Sequence, residues 1–362
     1  MREALRSPVG SPPLRQLARR GQRVAISVCD ITRAQPRRLM VPAILAELDG
    51  VVRPEDVIIL VATGTHRANS PEELAQMLGR DTVSRCQVLN HDSRDPSILV
   101  GLGWADDVPC ELNRHWVEAD LRITTGFVEP HFFAGFSGGP KMVAPGLAGL
   151  ETVLALHDSR RIGSPLATWG VIEGNPVQDG LRAVTRMAPP HLSLDVVLNT
   201  RQEITQVFAG ELFATHALAC AEAKAVAMRP VDKPFDVVVT SNSGYPLDQN
   251  LYQSVKGMSA ANAVVKEDGL IVCAAECRDG LPDHGSYARV VASRSTPGEL
   301  LDMIEAPGYR APDQWQVQLQ AKIQCHARVA FKSSFLEPAQ LRSAHLEPID
   351  DISSVVMAEL AS

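Results

Sequence analysis

Short apolar runs alternate with longer helical stretches along this chain, and each run ends in a small polar cluster. RVAISVC at 23–29 leads into DITRAQP, VIILVAT at 57–63 into GTHRANSP, and LRITTGF at 121–127 into VEPHFFAG. CQVLNH at 86–91 reads as a further strand. RRLMVPAILAELDG and PEELAQML carry helical patterning, and Ser70 and Glu73 have the spacing of a capping box. Continuous apolar strands separated by helices are buried on both faces, which predicts a mainly parallel sheet in an α/β fold. In such sheets ligands gather beyond the carboxyl ends of the strands. The polar tips therefore read as one site assembled from distant segments.

The pattern renews itself later in the chain. LSLDVVLNT and EITQVFAG flank a short turn and predict a hairpin, and ELFATHALACAEAKAVAM predicts a helix. VDKPFD at 231–236 is a linker. Beyond it DVVVT, NLYQSVKGMSAANAVV, GLIVCAAE, PGELLDMIE and RVAFKSS make a second, smaller α/β unit. A length of 362 residues suffices for two domains, and 45% apolar with 21% charged residues lets each bury a core. The expected division is 1–230, then 231–350, then a helix or tail at 351–362.

Charge and composition exclude some partners. The net charge of −7, with no Lys or Arg run longer than three, argues against nucleic acid. No segment approaches the ~20 apolar residues of a membrane span. The opening MREALRSPVGSPPLRQLARRG lacks the apolar core of a signal peptide. The seven cysteines are scattered, as reduced thiols in a cytoplasm would be. Cys273 and Cys277 in IVCAAEC would share one face of a strand and read as buried thiols.

The stretch EPHFFAGFSGGPKMVAPG at 129–146 carries the densest chemistry. It is not a P-loop, because Pro140 precedes Lys141 and Met142 follows it. Glycine-turn N–H groups can still form an anion nest, and Lys141 would add charge or a nucleophilic amine. The plain alternative is a flexible surface turn. His66 and His131 each follow a strand and precede a turn, so they are candidates for general acid and base. His157 ends the helical run ETVLALHDS, whereas His115, His191, His216, His326 and His345 read as structural. Asp30, Thr32 and Arg33 form a capped turn or an anion site. Tyr252 and Lys256 share a helical face beside Gln253, either as surface decoration or as a binding face, and Trp315 opens a helix.

Taken together, DITRAQP, LVATGTHR, GFVEPHFFAGFSGGPKMVAPG, LHDS, SGYPLDQNLYQSVKGM and PDQW resemble the nickel-dependent lactate racemase family over roughly residues 5–350. That resemblance implies two α/β domains with mainly parallel sheets, the first binding a cofactor, and the active site in the cleft between them. It implies a nickel-pincer nucleotide, a pyridinium mononucleotide held covalently at Lys141, with His157 as a nickel ligand. By the same resemblance His66 and His131 are the acid/base pair. Arg33, Tyr252, Gln253, Lys256 and Trp315 bind substrate, and Asp30, Thr32, Ser137, Gly138 and Gly139 contact the cofactor. The implied reaction racemises a 2-hydroxy acid by reversible hydride transfer to the cofactor, which separate synthesis proteins load. The alternative is a protein that carries the cofactor without turnover.

Some residues depart from the family's pattern. Pro140 stands where a basic residue is common, Ala34 where proline is common, and Thr65 and DGLPDHGSY at 279–287 also differ. These bear on which substrate fits. The chain begins close to its first motif and stops soon after its last helix. The expectation is a compact variant or a sequence cut short.

Overall fold

The computed structural model describes residues 1–282 and 285–361, so Asp283 and His284 of the DGLPDHGSY segment lie outside the described residues. The chain forms two compact units. The first comprises Met1–Leu156 and Pro165–Met228, and the second His157–Ser164 and Arg229–Ser362. The expected boundary at 230/231 falls beside the observed change at Met228, but residues 157–164 go with the second unit instead of the first.

Among the described residues, the first unit is built on a six-stranded sheet. Its order is Ile204–Gly210, Leu192–Leu198, Leu121–Phe127, Val24–Cys29, Val57–Ala62, Gln87–Asn90. Every neighbouring pair is parallel except the hairpin of Leu192–Leu198 with Ile204–Gly210. Val24–Cys29 is buried along its whole length, as a central strand covered on both faces must be. Parallel pairing of Cys29 with Ala62 and of Val61 with Asn90 brings the carboxyl ends of these strands to one edge of the sheet. DITRAQP and GTHRANSP leave from that edge. The helix Pro71–Leu78 starts where the sequence places it, with both hydrogen bonds of the Ser70–Glu73 capping box formed.

The second unit has a parallel four-stranded sheet of Phe235–Ser241, Val265–Ala274, Arg328–Lys332 and Glu347–Pro348. The helices Leu251–Asn262, Pro297–Glu305 and Gln314–His326 contribute to its main core. Helix Ile352–Leu360 packs through Ile352, Val355 and Val356 against Leu270, Val272 and Ala330 of this sheet. One expectation needs correction here. The strand ends at Ala274, and Cys277 lies beyond it with φ +55°, so Cys273 and Cys277 do not share a strand face. Asp248 Oδ2 accepts the Glu276 N–H at 2.8 Å and draws the chain away from the sheet. Both thiols are buried nonetheless, and Cys325 alone of the seven is exposed.

One contact in the first sheet is unusually close. Gly126 stands opposite Asp195 in the register, and a Cβ at 126 would lie 1.7 Å from Asp195 Oδ1. Gly126→Ala is therefore expected to destabilise the protein by about 3 kcal/mol, as overpacking of a rigid core does. Chemical denaturation of the variant checks this; an unchanged midpoint would show that the sheet yields at this point.

Candidate active site

The turn after Val24–Cys29 is pinned from below. Gln35 accepts the Cys29 N–H at 2.9 Å and donates to the Thr125 carbonyl at 2.9 Å. Buried Arg37 donates to the carbonyls of Cys29, Gln35, Asp30 and Arg33. These two residues hold the DITR segment in one shape. Within it the Thr32 hydroxyl donates to Asp30 Oδ1 at 2.6 Å and accepts from Arg33 Nη1 at 2.7 Å.

Asp30 has a further partner that the motif does not announce. Its Oδ2 lies 2.6 Å from His66 Nδ1, across the gap between neighbouring strand ends. Burial alone would raise the Asp30 pKa. The charge and hydrogen bond of His66, with Arg33 and Thr32, outweigh it and hold the carboxyl well below the usual carboxylate range. An ionised carboxylate only accepts hydrogen bonds, so a His66 proton sits on Nδ1, and in the neutral ring Nε2 carries the lone pair.

His131 is arranged in the opposite sense. Its Nδ1 accepts backbone N–H groups from Ala134 at 3.3 Å and Phe133 at 3.5 Å. In the neutral ring the proton therefore sits on Nε2. The ring packs edge-on to Phe133 at 4.5 Å, and Lys141 Nζ lies 5.2 Å from the centroid of the same Phe133 ring. Burial first, and the charge of Arg33 second, lower the Lys141 pKa from 10.5 to about 7. The chain from His131 to Pro140 is buried throughout, which removes the surface-turn reading of this loop. The structure thus brings Asp30, Thr32 and Arg33 to His66, and places Lys141 beside the His131 loop.

Ser137, Gly138 and Gly139 shape the approach to Lys141. The Ser137 hydroxyl donates to the Phe127 carbonyl at 2.7 Å and accepts the Glu129 N–H at 3.0 Å, so it closes its own hairpin. Gly138 and Gly139 take φ +68° and +50°, and the turn Gly139–Met142 sets out from them. Beneath them lies Asp195, fully buried on the strand Leu192–Leu198. Burial raises its pKa from 3.8 to about 6, against a hydrogen bond from Ser193. The proton is thus held more tightly in the folded chain. The stability this gives is present at low pH and is lost as pH rises from about 4 through about 6. Asp195→Asn cannot ionise. Its stability relative to the unmutated protein is expected to improve by up to about 3 kcal/mol between pH ~4 and pH ~8. Urea denaturation of both proteins at the two pH values measures it; a constant difference would mean that Asp195 does not titrate on folding.

In the second unit the remaining candidates form one connected group. Trp315 Nε1 donates to Tyr252 Oη at 2.9 Å, and the Trp315 ring packs against His157 at a tilt of 39° with centroids 4.5 Å apart. Lys256 Nζ donates to Gln253 Oε1 at 2.5 Å, one turn along the same helix as Tyr252. His157 is buried in this group. Among the described residues no three His, Cys, Asp or Glu side chains cluster as a metal site. A metal held by His157 would need its other donors from a cofactor.

Asp195 is a residue that motif reading passes over, because it sits inside an apolar strand. His216 is read as structural, yet its contact is with the glycine loop: Nε2 lies 2.9 Å from the Ser137 carbonyl. Among the described residues, no helix is long and apolar enough to cross a membrane.

Known proteins match this chain along nearly its whole length. Residues 1–170 match the lactate racemase N-terminal domain and residues 231–360 the lactate racemase C-terminal domain. The lactate racemase of Thermoanaerobacterium thermosaccharolyticum is 36% identical over 359 residues, covering 98% of this chain and 84% of that protein. That of Lactiplantibacillus plantarum is 38% identical over 348 residues, covering 95% and 82%. The solved structure of the T. thermosaccharolyticum lactate racemase apoprotein superposes with a TM-score of 0.91 at 35% identity, over 99% of this chain and 86% of that one. A crystal structure of a Thermotoga maritima protein, 18% identical with a TM-score of 0.77 over 97% of this chain and 92% of that one, shares the fold. With both halves matched in order, the chain belongs to the lactate racemase family and is an isomerase.

Proposed function

We propose that this isomerase interconverts the enantiomers of a 2-hydroxy acid, lactate or a related 2-hydroxycarboxylate, with a nickel-pincer nucleotide bound covalently at Lys141. The observation that carries the reading is that His66 Nδ1 meets the Asp30 carboxylate while His131 Nδ1 accepts backbone N–H groups, so in the neutral rings Nε2 is an acceptor on the first and a donor on the second. A racemase needs one base and one acid at the start of each turnover, with the two exchanged for the other enantiomer. Proton transfer at Nε2 falls to both rings because each Nδ1 is engaged.

The residues present fit such a cofactor. An amine lowered to about 7 is substantially neutral at physiological pH and is a nucleophile. The Gly138–Gly139 turn supplies backbone at close approach, and His157 supplies one imidazole to a metal whose other donors the nucleotide brings. When bound, the cofactor would supply the acceptor for the Cα hydrogen as hydride. His66 takes the hydroxyl proton of one enantiomer, and Asp30 steadies the imidazolium that results. His131, starting as the imidazolium, gives its Nε2 proton as the hydroxyl re-forms on the opposite hand and ends neutral. Arg33 offers a planar fork to the substrate carboxylate. In the second unit Lys256, Gln253, Tyr252 and Trp315 have the substrate-binding role. Since the Asp30, Thr32 and Ser137 side chains are engaged within the protein, backbone groups carry the cofactor contacts of their segments.

The test is a panel of single enantiomers, small, aromatic, dicarboxylic and sugar-acid, given to cofactor-loaded protein and followed by chiral chromatography. Conversion of at least one is expected, with its Cα hydrogen retained when the reaction runs in heavy water. Wash-in of deuterium at Cα would replace hydride transfer by proton abstraction. Retained cofactor with no turnover across the panel would point to a carrier protein.

A further inference from the structure

Two buried polar residues outside every motif grip the glycine loop from below. Asp195 Oδ1 accepts the Gly139 N–H at 3.4 Å, and the same oxygen fills the space that a side chain at 126 would take. The Ser193 hydroxyl donates to the other oxygen at 2.7 Å and orients the carboxyl. On the helix Leu212–Ala227, the His216 ring lies so close to Gly139 that a Cβ there would be 2.4 Å from it. Since the Ser137 carbonyl can only accept, His216 Nε2 carries the proton and donates to it at 2.9 Å. Cys220 Sγ lies 3.4 Å from the same nitrogen.

We propose that Asp195 and His216 are positioning residues that clamp the Ser137–Gly139 backbone and so fix where the Lys141 amine stands. The clamp has two jaws of different origin, one from the central sheet and one from the helix that follows the hairpin. Between them they hold a carbonyl and an N–H two residues apart. Lys141 follows two residues later, its own N–H bonded to the Gly138 carbonyl at 3.1 Å, so rotation of the glycine turn would carry the lysine with it. A buried carboxyl in a sheet of apolar strands is costly unless its oxygens are engaged, and here each of them is. Burial first, with the charges of Arg182 and Lys141, lowers the His216 pKa to about 4 against the Ser137 bond, so the ring stays a neutral donor at working pH. Arg182 and Asp195 are also the charges that act on Cys220, which places both near this spot.

The proposal rests on the reading of Lys141 as the cofactor's attachment point, but its test does not use the cofactor. Cofactor-free protein is labelled with trace acetic anhydride across a pH series, and acetylation of the Lys141 peptide is read by mass spectrometry. Unmutated protein should give a midpoint near 7. Asp195→Ala removes the acceptor, and His216→Phe keeps a ring but removes the donor. Each should release the amine toward water and raise the midpoint by about one unit or more. Asp195→Asn keeps an acceptor and His216→Gln keeps a donor, and both should stay near the unmutated value. Leu78→Ala, a core change in the same unit, should lower the melting temperature and leave the midpoint alone. If Asp195→Ala does not fold, the His216 pair carries the test.

Unchanged midpoints in the folded acceptor- or donor-less variants would overturn the clamp. So would equal shifts in the Asn or Gln variants, an equal shift in Leu78→Ala, or an ordinary lysine midpoint in the unmutated protein. A Lys141 midpoint near 7, shifted in the variants as expected, in protein that never gains the cofactor mass would count against the proposed cofactor and leave the clamp standing.

Discussion

Lys141→Ala is expected to abolish covalent retention of the cofactor and to lower kcat by at least about a thousandfold, through loss of a fixed position for the reacting group. Intact-mass measurement should show the adduct on the unmutated chain and none on the variant. Lys141→Arg should behave like alanine, because guanidinium stays protonated and cannot act as the nucleophile. The pH dependence separates this lysine from an ordinary one. Burial favours its neutral form, so the reactive fraction grows as pH rises through about 7 and levels off above it. A surface lysine would go on gaining reactivity toward pH ~10. Protonation of the desolvated amine also costs stability, so the unmutated fold should weaken at this residue as pH falls from about 10.5 to about 7 and change no further below that, and Lys141→Met should not share that loss. The same adduct mass on Lys141→Ala would place the attachment elsewhere.

Local chemistry was the most legible part of this sequence. The Ser70–Glu73 cap involves residues three apart, and its signature is written in one helical turn. The strand Leu121–Phe127 was readable because a strand buried on both faces has no choice but to be apolar. The limit showed at IVCAAEC. Composition there continues to favour a strand, but a hydrogen bond to Asp248, 28 residues earlier, turns the chain. The site divides in the same way. Strand order implies that DITR and GTHR meet at one sheet edge, since consecutive parallel strands are usually neighbours. That Asp30 and His66 should pair, 36 residues apart, depends on side-chain geometry set by Gln35 and Arg37. Asp195 left no readable signal at all. It resembles a flaw in LSLDVVL until Gly126 and Gly139 are seen to close around it.

Asp30→Asn should lower kcat/KM by roughly 10²–10⁴-fold while leaving the cofactor adduct in place. Thr32 decides the outcome. Its N–H and hydroxyl both donate to Asp30 Oδ1, so an asparagine there keeps its carbonyl oxygen at that position. The amide nitrogen then occupies the place of Oδ2, 2.6 Å from His66 Nδ1 in the unmutated protein. An NH₂ group donates where the carboxylate accepted, so the His66 proton moves to Nε2. Both histidines would then present a proton to the substrate and neither a base. The equilibrium constant between enantiomers is one, so kcat/KM must fall equally in the two directions, although only one histidine was altered. The carboxyl is held below its usual range, so its contribution to stability is present above about pH 4 and lost below it. Asp30→Asn should therefore also melt lower at neutral pH, with the gap closing in acid. Initial rates from each enantiomer, with intact mass on the same samples, separate this outcome from loss of cofactor. A variant that keeps the adduct and races within tenfold of the unmutated enzyme would show that Asp30 does not set the His66 tautomer.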